Sequence, residues 1–410
     1  MFEIKGKVAS AVCYAKVVEE EAVEQIRRMC DFELTEGSRI RIMPDVHAGK
    51  GCTIGTTMTV VGKACPNIVG VDIGCGMYTV RLAESALDFA AVDEAAHFIP
   101  SGMNTWEGRV ERFDLTELRC FRELKDSKRL ERSLGTLGGG NHFIEIDRAS
   151  DGTYYLVIHS GSRNLGKQVA EIYQQLAIDL HMGKEEFFRW RDEIIRTYKE
   201  QGRRAEIQTA LAVLKKNYET QILSVPEDIC WLYGTYLEDY LHDVEICQLF
   251  ARRSRELMAE IILKRTGMTA CEAFHTIHNY IDTEEMILRK GAIAAHQGEK
   301  VLIPINMRDG SVLAIGKGNA EWNYSAPHGA GRIMSRTKAK ETIDLDAYRQ
   351  AMAGIYTTSV NESTLDEAPM AYKSLNDIID VIRDSVEVID VMKPVYNFKA
   401  SEDDVPWKKM

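Results

Sequence analysis

The chain has 410 residues, 45% of them hydrophobic, enough for a sizeable core, and no run of eighteen apolar residues that would span a membrane. Its 62 acidic residues outnumber 51 basic ones, for a formal charge of -11. That balance excludes a protein that coats nucleic acid non-specifically, and confines any nucleic-acid contact to a local basic cleft. Nine scattered cysteines with no C-x-x-C pair, and an N-terminus with no apolar secretory segment, fit reduced thiols in a cytoplasm rather than a disulfide framework.

Residues 17–30 read as an amphipathic helix, with Val18, Ala22, Ile26 and Met29 on its apolar side. β-rich runs follow at 39–43, 56–61 and 77–82, each beside a glycine-rich loop. A strand at 154–158 delivers His159 at its end. Residues 165–266 are polar, helical in pattern and poor in chemistry; they read as a helical insertion, broken at Ser224-Val225-Pro226-Glu227. Strands return at 286–288, 292–295, 301–305 and 311–315, and helices are expected at 345–356 and 375–392. The charged segment 401–410 reads as a loose tail. Length alone suggests two or three domains. The chemical residues lie on both sides of the helical stretch, however, and neither half holds a full ligand set. One α+β domain spanning 1–410 and gathering ligands from its whole length is the simpler expectation.

The chemistry sits on glycine-rich turns. Val71-Asp72-Ile73-Gly74-Cys75-Gly76-Met77 offers an oxygen and a sulfur at short range. Gly138-Gly139-Gly140-Asn141-His142, His159-Ser160-Gly161-Ser162-Arg163, His278-Asn279-Tyr280 and His328-Gly329-Ala330-Gly331-Arg332 supply four histidines. Each piece alone has an ordinary structural reading: a tight turn, a strand start, or, for His275 and His278, one face of a helix. His97 and His296 are assigned to structure. Together the pieces can hold metal and leave one histidine for chemistry. Spacing alone does not choose between zinc and manganese, nor exclude a cysteine shared by two ions. Arg332, Arg336 and Lys340, spaced i, i+4, i+8, would share one helix face after a glycine loop. They are either a phosphate- or RNA-binding row or a solvated surface. A nucleophilic histidine beside two metals suits phosphoryl or nucleotidyl transfer, and His328 is the candidate. No P-loop motif is present.

These strings, with Met43–His47, Leu134–Glu145, Arg289–Ala292, Gly318-Asn319 and Ala368–Lys373, occur in the order found in the RtcB family of RNA-splicing ligases, which the chain resembles over nearly its whole length. The resemblance implies an αβ fold with mixed sheets around a two-metal cleft. It implies GTP- and Mn2+-dependent joining of an RNA 3′-phosphate, or 2′,3′-cyclic phosphate, to a 5′-hydroxyl in RNA repair or tRNA splicing. His328 would carry GMP, oriented by Asp45. One Mn2+ would use Asp72, Cys75 and His142, the other Cys75, His159 and His278. Asn141, Phe143, Glu145, Ser311, Gly329, Ala330, Gly331, Tyr372 and Lys399 would surround the guanylate. Arg163 joins the basic row at RNA or phosphate. The implied partners are RNA with such ends and, as a candidate activator, an archease-type protein; a monomer is expected.

The chain departs from the family pattern at three places. Pro304-Ile305-Asn306-Met307-Arg308 replaces a Pro-Gly-Ser-Met-Gly string, Ser325-Ala326-Pro327 precedes His328, and Lys399-Ala400 continues to Met410. The departures mark a divergent subgroup and bear on nucleotide preference. The rival readings are a metal-dependent phosphodiesterase or phosphatase, and a non-catalytic homologue that binds RNA or nucleotide. A covalent GMP adduct separates the first from a ligase; the intact ligand histidines oppose the second.

Overall fold

A computed structural model describes residues 1–218 and 222–399, so the tail expected at 401–410 lies outside the described residues. Helices and several sheets mix along the chain, an α+β architecture. No helix among the described residues is long and apolar enough to cross a membrane.

The sheet that matters most for the site has seven strands. Their order is Ala270–Ile277, Gly76–Leu82, Tyr154–Ser160, Phe143–Arg148, Val386–Lys399, Gly310–Gly316 and Lys300–Asn306. Every neighbouring pair is antiparallel. Alternation along these strands sorts two faces. Val80, Leu82, Ile144, Ile146, Leu156 and Ile158 pack outward on Met258, Ala259 and Ile262 of the long helix Gly234–Thr266. Met77, Phe143, Val157, Leu302 and Met392 form a smaller apolar cluster with Phe274 and Leu313. The two edge strands come back toward each other. Leu302 N donates to Thr276 Oγ1 at 3.2 Å, and Lys300 pairs with Glu272. The sheet is therefore strongly curled, with the small cluster inside the curl.

A second, mixed sheet has six strands in the order Phe2–Lys5, Ser10–Cys13, Ile40–His47, Ile54–Thr59, Ile287–Lys290 and Asn279–Asp282. Only the Ser10–Cys13 and Ile40–His47 pair is parallel. Its core is shared with the helices Arg163–His181 and Gly234–Thr266 through Leu165, Val169, Tyr173, Tyr240, Val244 and Phe250. The stretch read as a helical insertion thus contributes two helices to the main core. Another of its helices, Glu185–Glu200, buries no residue.

Two local expectations need correction. The helix expected over 375–392 stops at Ile382, and Val386–Lys399 is a strand in the middle of the seven-stranded sheet. Four β-branched residues, Val386, Val388, Ile389 and Val391, lose χ1 freedom in a helix and fit a pleated surface, which favours the strand. His275 and His278 do not share a helix face either. His275 lies in the Ala270–Ile277 strand, stacked on Tyr78 with Nε2 3.1 Å from Glu256, and His278 follows that strand.

Candidate active site

Strand ends and loops bring the glycine-flanked motifs to one cavity. Asp72 and Cys75 immediately precede the Gly76–Leu82 strand, and His142 precedes the adjacent Phe143–Arg148 strand. His159 sits near the end of Tyr154–Ser160, opposite Met77 and Phe143. His278 N donates to Cys75 O at 2.9 Å, which ties the loop after Ala270–Ile277 to the cysteine. Glycine is required here by space: a Cβ at Gly161 would lie 2.0 Å from Asp72 Oδ1.

The donor atoms converge. Cys75 Sγ is 3.3 Å from His159 Nε2 and 3.6 Å from His142 Nε2. His142 Nε2 is 3.0 Å from Asp72 Oδ2, and His159 Nε2 is 3.4 Å from His278 Nε2. Two triads result, Asp72–Cys75–His142 and Cys75–His159–His278, with all ligand atoms of each within 4.8 Å of one another. Donors about 2.1–2.3 Å from a common ion would be separated by roughly 3.0–3.7 Å.

Tautomers fit as well. His142 Nδ1 donates to Leu137 O at 2.9 Å and His159 Nδ1 to Asn141 O at 3.0 Å. Each ring therefore directs an Nε2 lone pair at the cysteine. Burial, reinforced by neighbouring histidines, pushes His159 and His278 well below the usual imidazole range, so both stay neutral. Burial opposes ionisation of Asp72, but the hydrogen bond and charge of His142, the Cys75 hydrogen bond and the nearby Arg163 together outweigh this and hold the carboxyl below its ordinary value. Burial and the nearby Asp72 push the Cys75 thiol up. A bound cation reverses that last effect, since a coordinating thiol is deprotonated outright. The donor set, the fixed tautomers of His142 and His159, and the Asp72 oxygen Oδ1, which lacks a protein partner, all fit a two-ion site sharing Cys75.

His328 stands beside this set, with its ring centroid 4.9 Å from that of His278. Its Nδ1 is 2.7 Å from Oδ2 of the fully buried Asp45, which also accepts from His328 N at 3.2 Å. Asp45 lies in the Ile40–His47 strand of the six-stranded sheet, so the site spans both sheets. Gly331, at φ 75, lets the loop pass where a Cβ would meet Asp45 O at 2.6 Å.

The cavity has a volume of about 310 Å³. Of the residues expected at the guanylate, Asn141, Phe143, Glu145, Gly329, Ala330, Gly331, Tyr372 and Lys399 line it. Ser311 does not; it is fully buried one layer lower, beside Asp147. Asn306 lines the cavity instead. Its Oδ1 accepts from Arg308 N and Asp309 N, capping the hairpin turn.

The basic residues differ most from expectation. The helix begins only at Arg336, so Arg332 lies outside it. Arg332, Arg336 and Lys340 converge on two acids that sequence reasoning missed. Arg336 pairs with Asp366 at 2.6 Å and Glu367 at 2.7 Å, Arg332 with Glu367 at 3.5 Å, and Lys340 with Asp366 at 3.7 Å. Lys399 and Tyr372 also bond Glu367. Burial works against ionisation of Glu367, but Lys399 and Arg336 outweigh it and bring the carboxyl down to about 2. Arg332 and Arg336 still reach the cavity; Lys340 and Arg163 do not line it. Arg163 instead braces the loops behind the two triads, donating to Thr136 Oγ1 at 3.1 Å and Gly102 O at 2.7 Å. The signal for Glu367 was its place just before the Ala368–Lys373 string. His47 and Asn397 are further cavity residues not singled out as site residues from sequence.

The family profile described as tRNA-splicing ligase RtcB matches residues 25–123 and 109–400. The chain is 31% identical over 399 residues to an RNA-splicing ligase RtcB of Escherichia coli K12, covering 87% of this chain and 88% of that protein. It is 27% identical over 429 residues to a tRNA-splicing ligase RtcB of Aeropyrum pernix, covering 83% of each. A tRNA-splicing ligase RtcB of Archaeoglobus fulgidus is 26% identical over 463 residues, covering 90% of this chain and 88% of that protein.

Proposed function

Since the chain belongs to the RtcB family, we propose that it is an RNA ligase that joins an RNA 3′-phosphate to a 5′-hydroxyl, using GTP, two Mn2+ ions and a guanylylated His328. A 2′,3′-cyclic phosphate enters the same route after water opens it to the 3′-phosphate. The observation that carries this reading is the His328–Asp45 pair: a buried carboxylate fixes Nδ1, and the other ring nitrogen has no protein partner among the described residues. That is the arrangement of an oriented nitrogen nucleophile.

His328 Nε2 attacks the α-phosphorus of GTP; a P–N bond forms, the bond to the leaving pyrophosphate breaks, and Asp45 stabilises the imidazolium character that develops. An oxygen of the RNA 3′-phosphate then attacks the same phosphorus, breaking the P–N bond and leaving the RNA activated with GMP. The 5′-hydroxyl attacks the RNA phosphorus, forms the phosphodiester, loses its proton and releases GMP. Asp72, Cys75, His142, His159 and His278 would hold the ions, which supply Lewis-acid stabilisation of the entering and leaving oxygens. Asn141, Phe143, Glu145, Asn306, Tyr372 and Lys399 line the side of the cavity where the nucleotide would bind.

The test is incubation with α-labelled GTP and Mn2+, followed by denaturing electrophoresis. An acid-labile, base-stable label is expected on the wild type and none on His328→Ala, which should retain its metals. A label on lysine, or an undiminished label in His328→Ala, would refute the mechanism. An adenylate in its place would keep the mechanism and assign Asn306 to a changed nucleotide pocket.

A further inference from the structure

Under the nucleotide end of the cavity, the curled sheet carries a second polar layer. Glu145 and Asp147 are two residues apart on the Phe143–Arg148 strand, so they leave the same face of the sheet. They are 3% and 0% exposed. Their carboxyls lie within hydrogen-bonding reach of each other. Neither oxygen of Asp147 accepts a well-formed hydrogen bond. The groups facing the pair come from two other strands. Val386–Lys399 supplies Asn397, whose Nδ2 donates to Glu145 Oε2 at 2.6 Å, together with Lys399 and Lys393. Gly310–Gly316 supplies Ser311, next to Asp147. Lys399 is already bonded to Glu367.

Two buried carboxyls in contact attract only if one carries a proton, because ionised carboxylates are acceptors alone. We propose that Asp147 is a positioning residue for nucleobase recognition: it shares one proton with Glu145 and takes that proton when a purine edge donates hydrogen bonds to Glu145. The inference rests on the guanylate reading of Glu145 given above. The Watson–Crick edge of guanine presents N1–H and an exocyclic N–H, two donors that suit an ionised carboxylate. The proton passes from a Glu145 oxygen to an Asp147 oxygen, no other bond changes, and the pair keeps a single negative charge. Burial and the adjacent Asp147 raise Glu145 well above the ordinary carboxyl range, and burial raises Asp147 to about 6. As pH falls through about 6 the pair takes up a second proton, and Glu145 loses its anionic form.

Two measurements test this. The infrared carbonyl stretch of a protonated carboxyl should be present in free wild-type protein at neutral pH and should shift in Asp147→Asn, where Glu145 has no carboxylate to share its proton with. In the wild type its amplitude should rise as pH falls through about 6, a reading that stands even if the variant does not fold. GMP affinity with Mn2+ present, measured by calorimetry, should fall in the wild type over that interval. In Asp147→Asn the acid limb should change position, because Glu145 then titrates alone with no neighbour to take its proton. A wild type without the band, or identical GMP profiles for the two proteins, would overturn the shared proton. If Glu145→Gln binds GMP as the wild type does, the guanylate reading of Glu145 fails and this proposal fails with it, whatever the infrared result.

Discussion

The metal ligands and the basic cluster are two strongly polar regions of one cavity, solved in opposite ways. At the first, Cys75, His142, His159 and His278 point donor atoms at each other across 3.3 to 3.6 Å, with no cation of the protein between them. At the second, Arg332, Arg336, Lys340 and Lys399 already have counter-charges in Asp366 and Glu367. Under the proposed function the first is completed by cations. The second is complete as it stands, so an RNA or GTP phosphate must compete with buried carboxylates for those cations. Residues in the first should therefore be all-or-none for activity, and residues in the second should tune it.

The largest effect is expected at Cys75, which belongs to both ligand triads. Cys75→Ala should abolish ligation and lower bound Mn2+ at both positions while the protein stays folded. Metal analysis and circular dichroism check this; full occupancy in the variant would remove the shared-ligand assignment. Next is Asp45→Asn, which keeps the shape but loses the charge that orients His328. A drop on the order of 10²-fold or more in guanylylation is expected, with metal content unchanged. Equal loss of metal would mean that Asp45 supports the ligand set instead.

Glu367→Gln would leave Arg336 and Lys399 under-compensated. Removing one member of a buried charge cluster costs roughly 3–5 kcal/mol, so urea denaturation should reveal a marked loss. The pH dependence has a defined sign. Glu367 is depressed in the folded protein from 4.5 to about 2, so its contribution is full above about 4.5 and disappears as pH falls toward 2. In that window the wild type should lose more stability than Glu367→Gln.

The smallest effect is expected at Arg336, which is 44% exposed and shared between two acids. Arg336→Ala should weaken RNA binding modestly and reduce the salt slope by about one or less. An unchanged slope would make the row purely structural, sharpening the contrast with the metal ligands.

The clustering of Asp72, Cys75, His142, His159 and His278 was legible because each lies in a short glycine-flanked string whose geometry is local. Gly161 beside Asp72 and Gly331 beside Asp45 explain why those strings take that form. What escaped was non-local. Nothing in the spacing of Arg332, Arg336 and Lys340 reveals that Asp366 and Glu367 lie beneath them. The expected row also assumed a helix through Arg332, whereas it starts at Arg336. Ser311 was taken for a cavity residue, but strand alternation and the curl of the sheet put it one layer down. The run 386–392 was read as a helix, because its apolar pattern outweighed its β-branched content; pairing with Phe143–Arg148 and Gly310–Gly316 decided it.

That misread strand has a consequence for how the site comes into being. Val386–Lys399 is not an edge addition: it is inserted between strands whose residues were made some 70 to 240 positions earlier, and it brings Asn397 and Lys399 into the cavity. A nascent chain paused on the ribosome before this segment emerges holds both proposed ligand triads and His328, yet its sheet has an open seam at the centre. Catalytic competence is thus withheld until late in synthesis, and a prematurely terminated product would be left without a working pocket.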